Sequence, residues 1–161
     1  MRPNHLSAMR VLLVDDEIQP LELRAHIMKL RGFFVLAVDS PLRAIAMAKQ
    51  PVRTIDVAVL DYDMPVMNGG TLAGRLRSIL PELRIVLYSG ALDVPQSELS
   101  NVDAFVSKGD GIETLIDQVL RFAQTGVETP RRLSSKSMPP LSRTRSNHRD
   151  LLLRRPTKKF G

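Results

Sequence analysis

Residues 57–70 read VAVLDYDMPVMNGG, and this stretch decides the fold. Four apolar residues lead directly into Asp61, and a proline and an Asn-Gly-Gly sequence follow, which is the pattern of a buried strand that ends at a loop. Residues 11–16, VLLVDD, repeat this construction with an apolar run that ends in Asp15 and Asp16. If the two strands are parallel neighbours, their carboxylates meet at one edge of the sheet. Their mutual repulsion then implies a bound cation or a raised pKa.

Strand-like runs alternate with helix-like segments from the first of these stretches onward. The predicted strands are residues 11–14, 34–38, 57–60, 85–88 and 104–106, and the predicted helices are 18–30, 41–49, 71–80, 94–99 and 111–123. This alternation favours βαβ units and predicts an α/β fold, a (βα)5 doubly wound five-stranded parallel sheet with helices on both faces. The expected core positions of the first and last helices are Ile18, Leu21, Ala25 and Met28, and Ile112, Leu115, Ile116, Val119 and Leu120.

The charge of the chain is unevenly distributed. Residues 1–126 carry 13 Lys and Arg against 15 Asp and Glu, whereas residues 127–161 carry 10 against 2, a net charge of +8. The second stretch is also rich in Pro, Ser and Thr, which is typical of a disordered tail. The absence of Cys excludes disulfides and thiolate sites. No apolar run approaches the length of a membrane span, and so we expect a cytoplasmic protein without a transmembrane segment.

Polar side chains follow the ends of four predicted strands. Asp15 and Asp16 follow the first strand, Asp61 the third, Ser89 the fourth and Lys108 the fifth. Ligands of open parallel sheets bind outside the carboxyl ends of the strands. This number of hard oxygen donors suits Mg²⁺, and a carboxylate beside such an ion can act as a nucleophile toward phosphorus. The lysine and the serine hydroxyl could then hold phosphoryl oxygens.

These segments resemble the receiver domain of two-component response regulators. The matching stretches are residues 11–16 (VLLVDD), 61–69 (DYDMPVMNG), 85–91 (IVLYSGA) and 104–108 (AFVSK). The resemblance covers about residues 8–124 and implies a flavodoxin-like receiver fold. It implies a stand-alone response regulator of the chemotaxis-regulator kind, with residues 127–161 as a disordered basic tail.

The resemblance assigns roles to the acidic residues and the lysine. Asp61 is implied as the phosphoacceptor, and Asp16 and Asp61 as direct ligands of Mg²⁺. Asp15 is implied to bind the ion through water, and the main-chain carbonyl of Asp63 to complete the protein ligands. Lys108 is implied to pair with a phosphoryl oxygen.

Two further residues are implied as a switch. Ser89 would move its hydroxyl toward the new phosphoryl group, and Phe105 would turn inward behind it. Since Phe105 lies on the fifth strand, we also expect it to belong to the core. The switched surface is expected at helix 4, strand 5 and helix 5, where a partner docks or a homodimer forms.

The same resemblance implies a signalling protein and not an enzyme. The phosphoryl donor would be a histidine kinase or a histidine phosphotransfer protein. Small phosphodonors would support autophosphorylation at most, and the phosphorylated protein would dephosphorylate itself.

One position departs from the family pattern. The family usually follows its lysine with a proline across a cis bond, whereas here Gly109 follows Lys108. A cis bond to a residue other than proline costs about 2.5–4 kcal/mol, and so we expect a trans bond and a looser loop. In such a loop, Gly109 would tolerate dihedral angles that other residues avoid.

Two alternatives remain open from the sequence. The first is a Mg²⁺-dependent phosphohydrolase of the haloacid-dehalogenase kind, because residues 61–63, 88–90 and 108–111 resemble its motifs; that interpretation leaves Asp15 and Asp16 without a role. The second is nucleic-acid binding through the basic tail. Phe160 is the sole aromatic residue there, so base stacking has little to act on. The tail is too short for a folded DNA-binding domain, and we do not expect a full-length transcription factor.

Overall fold

The computed structural model describes residues 9–51, 54–91 and 93–125, and it follows the predicted alternation of strands and helices. The strands are β1 (Arg10–Val14), β2 (Phe34–Val38), β3 (Val57–Leu60), β4 (Arg84–Ser89) and β5 (Ala104–Ser107). The helices are α1 (Ile18–Leu30), α2 (Pro41–Ala48), α3 (Gly69–Ile79), α4 (Gln96–Leu99) and α5 (Gly111–Thr125), and a 3-10 turn (Lys108–Asp110) joins β5 to α5. The predicted tail, residues 127–161, lies outside the described residues.

The five strands form one parallel sheet in the order β2-β1-β3-β4-β5, which confirms the predicted fold class. The strand β3 lies at the centre, with β1 and β4 on its two sides. Val14 pairs with Val38 on one side and with Leu60 on the other, so β1, β2 and β3 end at the same level. The residues that follow Val14 and Leu60 therefore leave the sheet side by side.

Apolar side chains cover both faces of the sheet. Alternate strand residues point to opposite faces, so Leu13 packs in the core that contains α1 and α5 residues, whereas Leu12 packs in the core that contains α2 and α3 residues. Because both faces are covered, residues 11–14 of β1 and all of β3 are continuous apolar runs and not alternating ones.

Three residues predicted to be buried are exposed instead. Ile18 is 56% exposed because it is the first residue of α1, ahead of the buried positions Leu21, Ala25 and Met28. Leu120 is 40% exposed, beside the buried Val119. Phe105 is 43% exposed, because it points to the face of the sheet opposite to its buried neighbour Val106.

Four of the five helices differ from the predictions by one or two residues at one end or both. The third helix begins at Gly69 and not at Thr71, because the side chain of Asn68 accepts a hydrogen bond from the Thr71 N–H at 2.8 Å and caps the helix before the two glycines. The helix α4 is shorter than predicted and begins at Gln96. The helix α1 is followed by Gly32, whose φ of +91° is typical of the glycine that ends a helix. Within the parts of the chain that the structure describes, no helix is long and apolar enough to cross a membrane.

Candidate functional site

The carboxyl ends of β1 and β3 bring two acids together. Asp15 and Asp61 are the first residues after these strands. The Asp61 N–H donates to the carbonyl of Val14 at 2.9 Å, which continues the hydrogen bonding between β1 and β3 by one residue. Both side chains are almost fully buried. The register of two adjacent strands therefore fixes the relative position of the two carboxylates.

Asp15, Asp16 and Asp61 form what we call the acidic cluster. One carboxylate oxygen from each residue lies within 4.8 Å of the others, and Asp16 is the most exposed of the three. Three carboxylates in this arrangement fit a hard cation such as Mg²⁺, which prefers oxygen donors. The side chain of Asp63 is exposed, and the role of its main-chain carbonyl as a ligand stays a prediction.

Lys108 reaches the acidic cluster from the end of β5. Its Nζ lies 2.9 Å from Oδ1 of Asp61 and 3.3 Å from Oδ2 of Asp15. The structure thus brings together four of the predicted residues, namely Asp15, Asp16, Asp61 and Lys108. The ammonium group partly balances a cluster whose carboxylates would otherwise repel one another.

The loop after Lys108 is trans, as predicted, since the described residues contain no cis peptide bond. The loop is not loose, however, because residues 108–110 form a 3-10 turn and the Ser107 hydroxyl accepts a hydrogen bond from the Gly109 N–H at 3.1 Å. Gly109 does not use the positive φ that a glycine tolerates. The positive φ of +83° falls instead at Gly111, where α5 begins.

Burial and charge act in opposite directions on the two central groups. Burial raises the pKa of Asp61, and the nearby charge of Asp15 adds to this, whereas the hydrogen bond from Lys108 offsets part of the increase. Burial alone would lower the pKa of Lys108, but its interactions with Asp61 and Asp15 outweigh burial and raise it. At neutral pH the ammonium is therefore held in its charged form.

The structure reveals one site residue that the sequence analysis missed. Arg24 of α1 donates a hydrogen bond from its guanidinium to Oδ2 of Asp15, and its side chain is only 12% exposed. Its guanidinium also lies 5.6 Å from the centre of the Tyr88 ring, at a distance typical of a cation–π contact. The available signal was its spacing, because Arg24 lies three residues after Leu21 and four before Met28, on the buried stripe of α1.

The two predicted switch residues lie in different surroundings. Ser89, the last residue of β4, is completely buried, and its hydroxyl accepts a hydrogen bond from the Ala91 N–H at 2.9 Å. Phe105 lies on β5 with its ring partly in solvent, so the structure does not place it behind Ser89. The Phe105 side chain therefore points outward, toward solvent.

The loop that follows Asp61 is connected to the short helix α4. The Tyr62 hydroxyl interacts with the carboxylate of Glu98, and this hydrogen bond raises the pKa of Tyr62. Glu98 also lies directly over Gly70, where a Cβ atom would come within 2.6 Å of the Glu98 Cβ. A glycine at this position therefore allows α4 to approach α3.

Comparisons with known proteins agree with this geometry. The family model of the response regulator receiver domain matches residues 11–120. A protein-glutamate methylesterase/protein-glutamine glutaminase of Caulobacter vibrioides is 32% identical over 83 residues, which cover 50% of this chain and 23% of that protein. The chain spans between 8% and 23% of the length of the curated relatives it matches.

Two solved structures extend the comparison to the fold. The receiver domain of the hybrid histidine kinase CckA is 29% identical, with a TM-score of 0.61 over 71% of this chain and 99% of that domain. The response regulator TrrA of Thermotoga maritima, solved in complex with Mg²⁺-BeF, is 23% identical with a TM-score of 0.64 and covers 71% of this chain and 98% of its own. The second likeness shows the fold alone.

The chain belongs to the family of response regulator receiver domains of two-component phosphorelay systems. The predicted resemblance is confirmed, because the family model covers most of the chain. The phosphohydrolase alternative gains no support, since Asp15, which that interpretation left without a role, contacts both Lys108 and Arg24.

Proposed function

We propose that this receiver domain accepts a phosphoryl group on Asp61 in a Mg²⁺-dependent reaction, and that the added charge switches a partner-binding surface. The observation that carries the proposal is the contact between the buried Asp61 carboxylate and Lys108 inside the acidic cluster. A buried carboxylate, a set of oxygens that fits a cation and an ammonium group thus lie close together at one edge of the sheet.

In the proposed step, a carboxylate oxygen of Asp61 forms a bond to the phosphorus of the donor. With a phosphohistidine of a histidine kinase or a phosphotransfer protein as donor, the P–N bond breaks and its electron pair stays on the imidazole, which takes a proton from water. The product is an aspartyl phosphate, and the step involves no oxidation or reduction. The protein contributes position and electrostatics.

Asp15, Asp16 and Asp61 are the residues that would hold Mg²⁺, with the main-chain carbonyl of Asp63 as a further oxygen. When bound, the ion would neutralise charge on the phosphoryl oxygens during transfer. The binding of Mg²⁺-BeF by TrrA, which shares the fold, supports this assignment.

Lys108 would exchange one partner for another during the transfer. Its ammonium group contacts Asp61 before the reaction, and phosphorylation adds about two negative charges at that place. We expect the ammonium to pair with a phosphoryl oxygen, because a charge-assisted hydrogen bond to the dianion is stronger than one to the carboxylate.

The switch would act through β4 and β5. Ser89 would leave its hydrogen bond with the Ala91 N–H and turn its hydroxyl toward the phosphoryl group, and Phe105 would move from its exposed position into the space behind it. The surface of α4, β5 and α5, which includes the exposed Phe105 and Leu120, is the proposed site of partner docking or homodimer formation. Such a switch biases two arrangements that both exist before phosphorylation.

The proposal concerns a signalling domain at about residues 8–124, with no enzymatic activity beyond its own phosphorylation and dephosphorylation. The role of the basic tail, the stand-alone organisation and the cytoplasmic location stay predictions from the sequence.

The proposal is tested by incubating the protein with Mg²⁺ and acetyl phosphate, and by following phosphoprotein on phosphate-affinity gels together with free phosphate. We expect a shifted band in the wild type and in Asp63→Asn, a matched control with an exposed neighbouring carboxylate, and none in Asp61→Asn. A shifted band in Asp61→Asn would contradict the proposal. Rapid phosphate release that Asp63→Asn abolishes would favour the phosphohydrolase alternative.

A further inference from the structure

We propose that the Arg24 guanidinium is a resident counter-charge of the acidic cluster and that it lowers the affinity of the cluster for divalent cations. The inference rests on the proposed Mg²⁺ site and adds to it a residue of α1. It concerns binding of the ion and not the phosphoryl step itself.

Three observations show that the Arg24 guanidinium is held in one position. Its guanidinium donates to Oδ2 of Asp15, its side chain is largely removed from solvent, and the Tyr88 ring lies 5.6 Å below it. The Arg24 Nε group is buried and has no hydrogen-bond partner among the described residues. The guanidinium is therefore held by charge and by the aromatic ring, and it does not rotate freely in water.

The carboxylate of Asp15 is already occupied on both oxygens. Oδ1 accepts the N–H of Glu17 at 2.9 Å, and Oδ2 is shared by Arg24 and by Lys108 at 3.3 Å. An added cation therefore meets two positive charges beside this acid. If Arg24 lost its charge, the Glu17 N–H and Lys108 would still hold Asp15 in place, so the replacement changes charge more than position.

The charge balance gives the direction of the effect. The acidic cluster carries three negative charges, Lys108 and Arg24 carry two positive charges, and the net charge of the set is −1. A neutral residue at position 24 would make this −2. Even with the full screening of bulk water, one unit charge about 6 Å from a divalent ion changes its binding constant by about tenfold.

The test is the dissociation constant for Mg²⁺, measured by isothermal titration calorimetry and by the rise of the unfolding temperature with Mg²⁺ concentration. The variants are Arg24→Gln, Arg24→Met and Arg24→Lys, and the control is Arg43→Gln, which removes one positive charge from an exposed ion pair with Asp39. Arg24→Met keeps a long unbranched side chain against Tyr88 and removes the buried Nε without a partner, so we expect it to fold even if Arg24→Gln does not.

We expect about tenfold tighter Mg²⁺ binding in the two neutral variants, a change of less than twofold in Arg24→Lys, and none in Arg43→Gln. Unchanged or weaker binding in the neutral variants would overturn the inference and leave the Mg²⁺ site standing. If neither the wild type nor the neutral variants bind Mg²⁺, the metal part of the proposed function fails together with this inference.

Discussion

The ammonium group of Lys108 lies 2.9 Å from Oδ1 of Asp61, so a cation contacts the acid that is proposed to receive the phosphoryl group. The two residues lie 47 positions apart in the sequence, and they meet because the ends of β3 and β5 face the same edge of the sheet. This contact raises the pKa of Lys108 and offsets part of the rise in the pKa of Asp61 that burial causes.

Replacement of the lysine tests the contact. We expect Lys108→Gln to lower the free energy of unfolding by about 1–3 kcal/mol without Mg²⁺, because the buried Asp15 and Asp61 carboxylates lose a shared partner. Urea denaturation measures the loss, and added Mg²⁺ should restore part of it. The exposed Lys49→Gln serves as control.

The same lysine variant separates phosphorylation from switching. We expect Lys108→Gln to accept phosphoryl groups from acetyl phosphate but to show no change in partner binding or self-association on phosphorylation. A normal response in this variant would argue against a role for Lys108 in the switch.

Removal of the Asp61 charge should stabilise the protein without Mg²⁺. Burial raises the pKa of Asp61 above the unfolded value of 3.8, so the folded state binds the proton more tightly than the unfolded state. The ionised form of this group therefore lowers the free energy of unfolding, and stability is lost as pH rises through the folded pKa. We therefore expect Asp61→Asn to be more stable than the wild type at pH 7. The gain should shrink as pH falls through the raised pKa and vanish below 3.8.

Thermal unfolding from pH 3 to pH 7 measures this difference, and Asp63→Asn, which replaces an exposed carboxylate, is the control. A loss of stability in Asp61→Asn at pH 7 would mean that the Lys108 contact outweighs the burial of the carboxylate.

The first residue of α3 should tolerate no side chain. A Cβ at Gly69 would overlap the main-chain carbonyl of Asp61 and come within 2.7 Å of Leu87 Cδ1. We expect Gly69→Ala to cost about 1–3 kcal/mol and to slow phosphorylation, because the helix must move away from the acid. Gly74→Ala in the same helix meets only the Asn101 side chain, at 3.3 Å, and should be neutral or stabilising by about 0.5–1 kcal/mol. Equal effects of the two variants on phosphorylation would contradict this account.

The sequence predicted the sheet and the acids well because both depend on local patterns. Apolar runs that end in Asp15 and Asp61 define the strands and place the acids at their ends, and one register then brings them together. The start of α3 was predicted two residues late, because glycines after Asn68 are typical of loops whereas here they follow a capping side chain.

Whether a residue at the end of a helix or on an edge strand is buried depends on tertiary packing, which the local sequence pattern does not show. Phe105 is 43% exposed although it lies on a strand, because the burial of a strand residue depends on which helices pack against its face of the sheet. Arg24 was missed for the same reason. A charged residue on a buried stripe is recognised as a partner of Asp15 only when the distance between α1 and the end of β1 is known.

The most direct test of the central claim is the chemical location of the phosphoryl group. The wild type would be phosphorylated with acetyl phosphate and Mg²⁺, reduced with borohydride to convert the aspartyl phosphate to homoserine, and digested for peptide mass spectrometry. The account predicts homoserine at position 61, with Asp15, Asp16 and Asp63 unchanged. Homoserine at another aspartate, or at none while phosphoprotein is present, would contradict it.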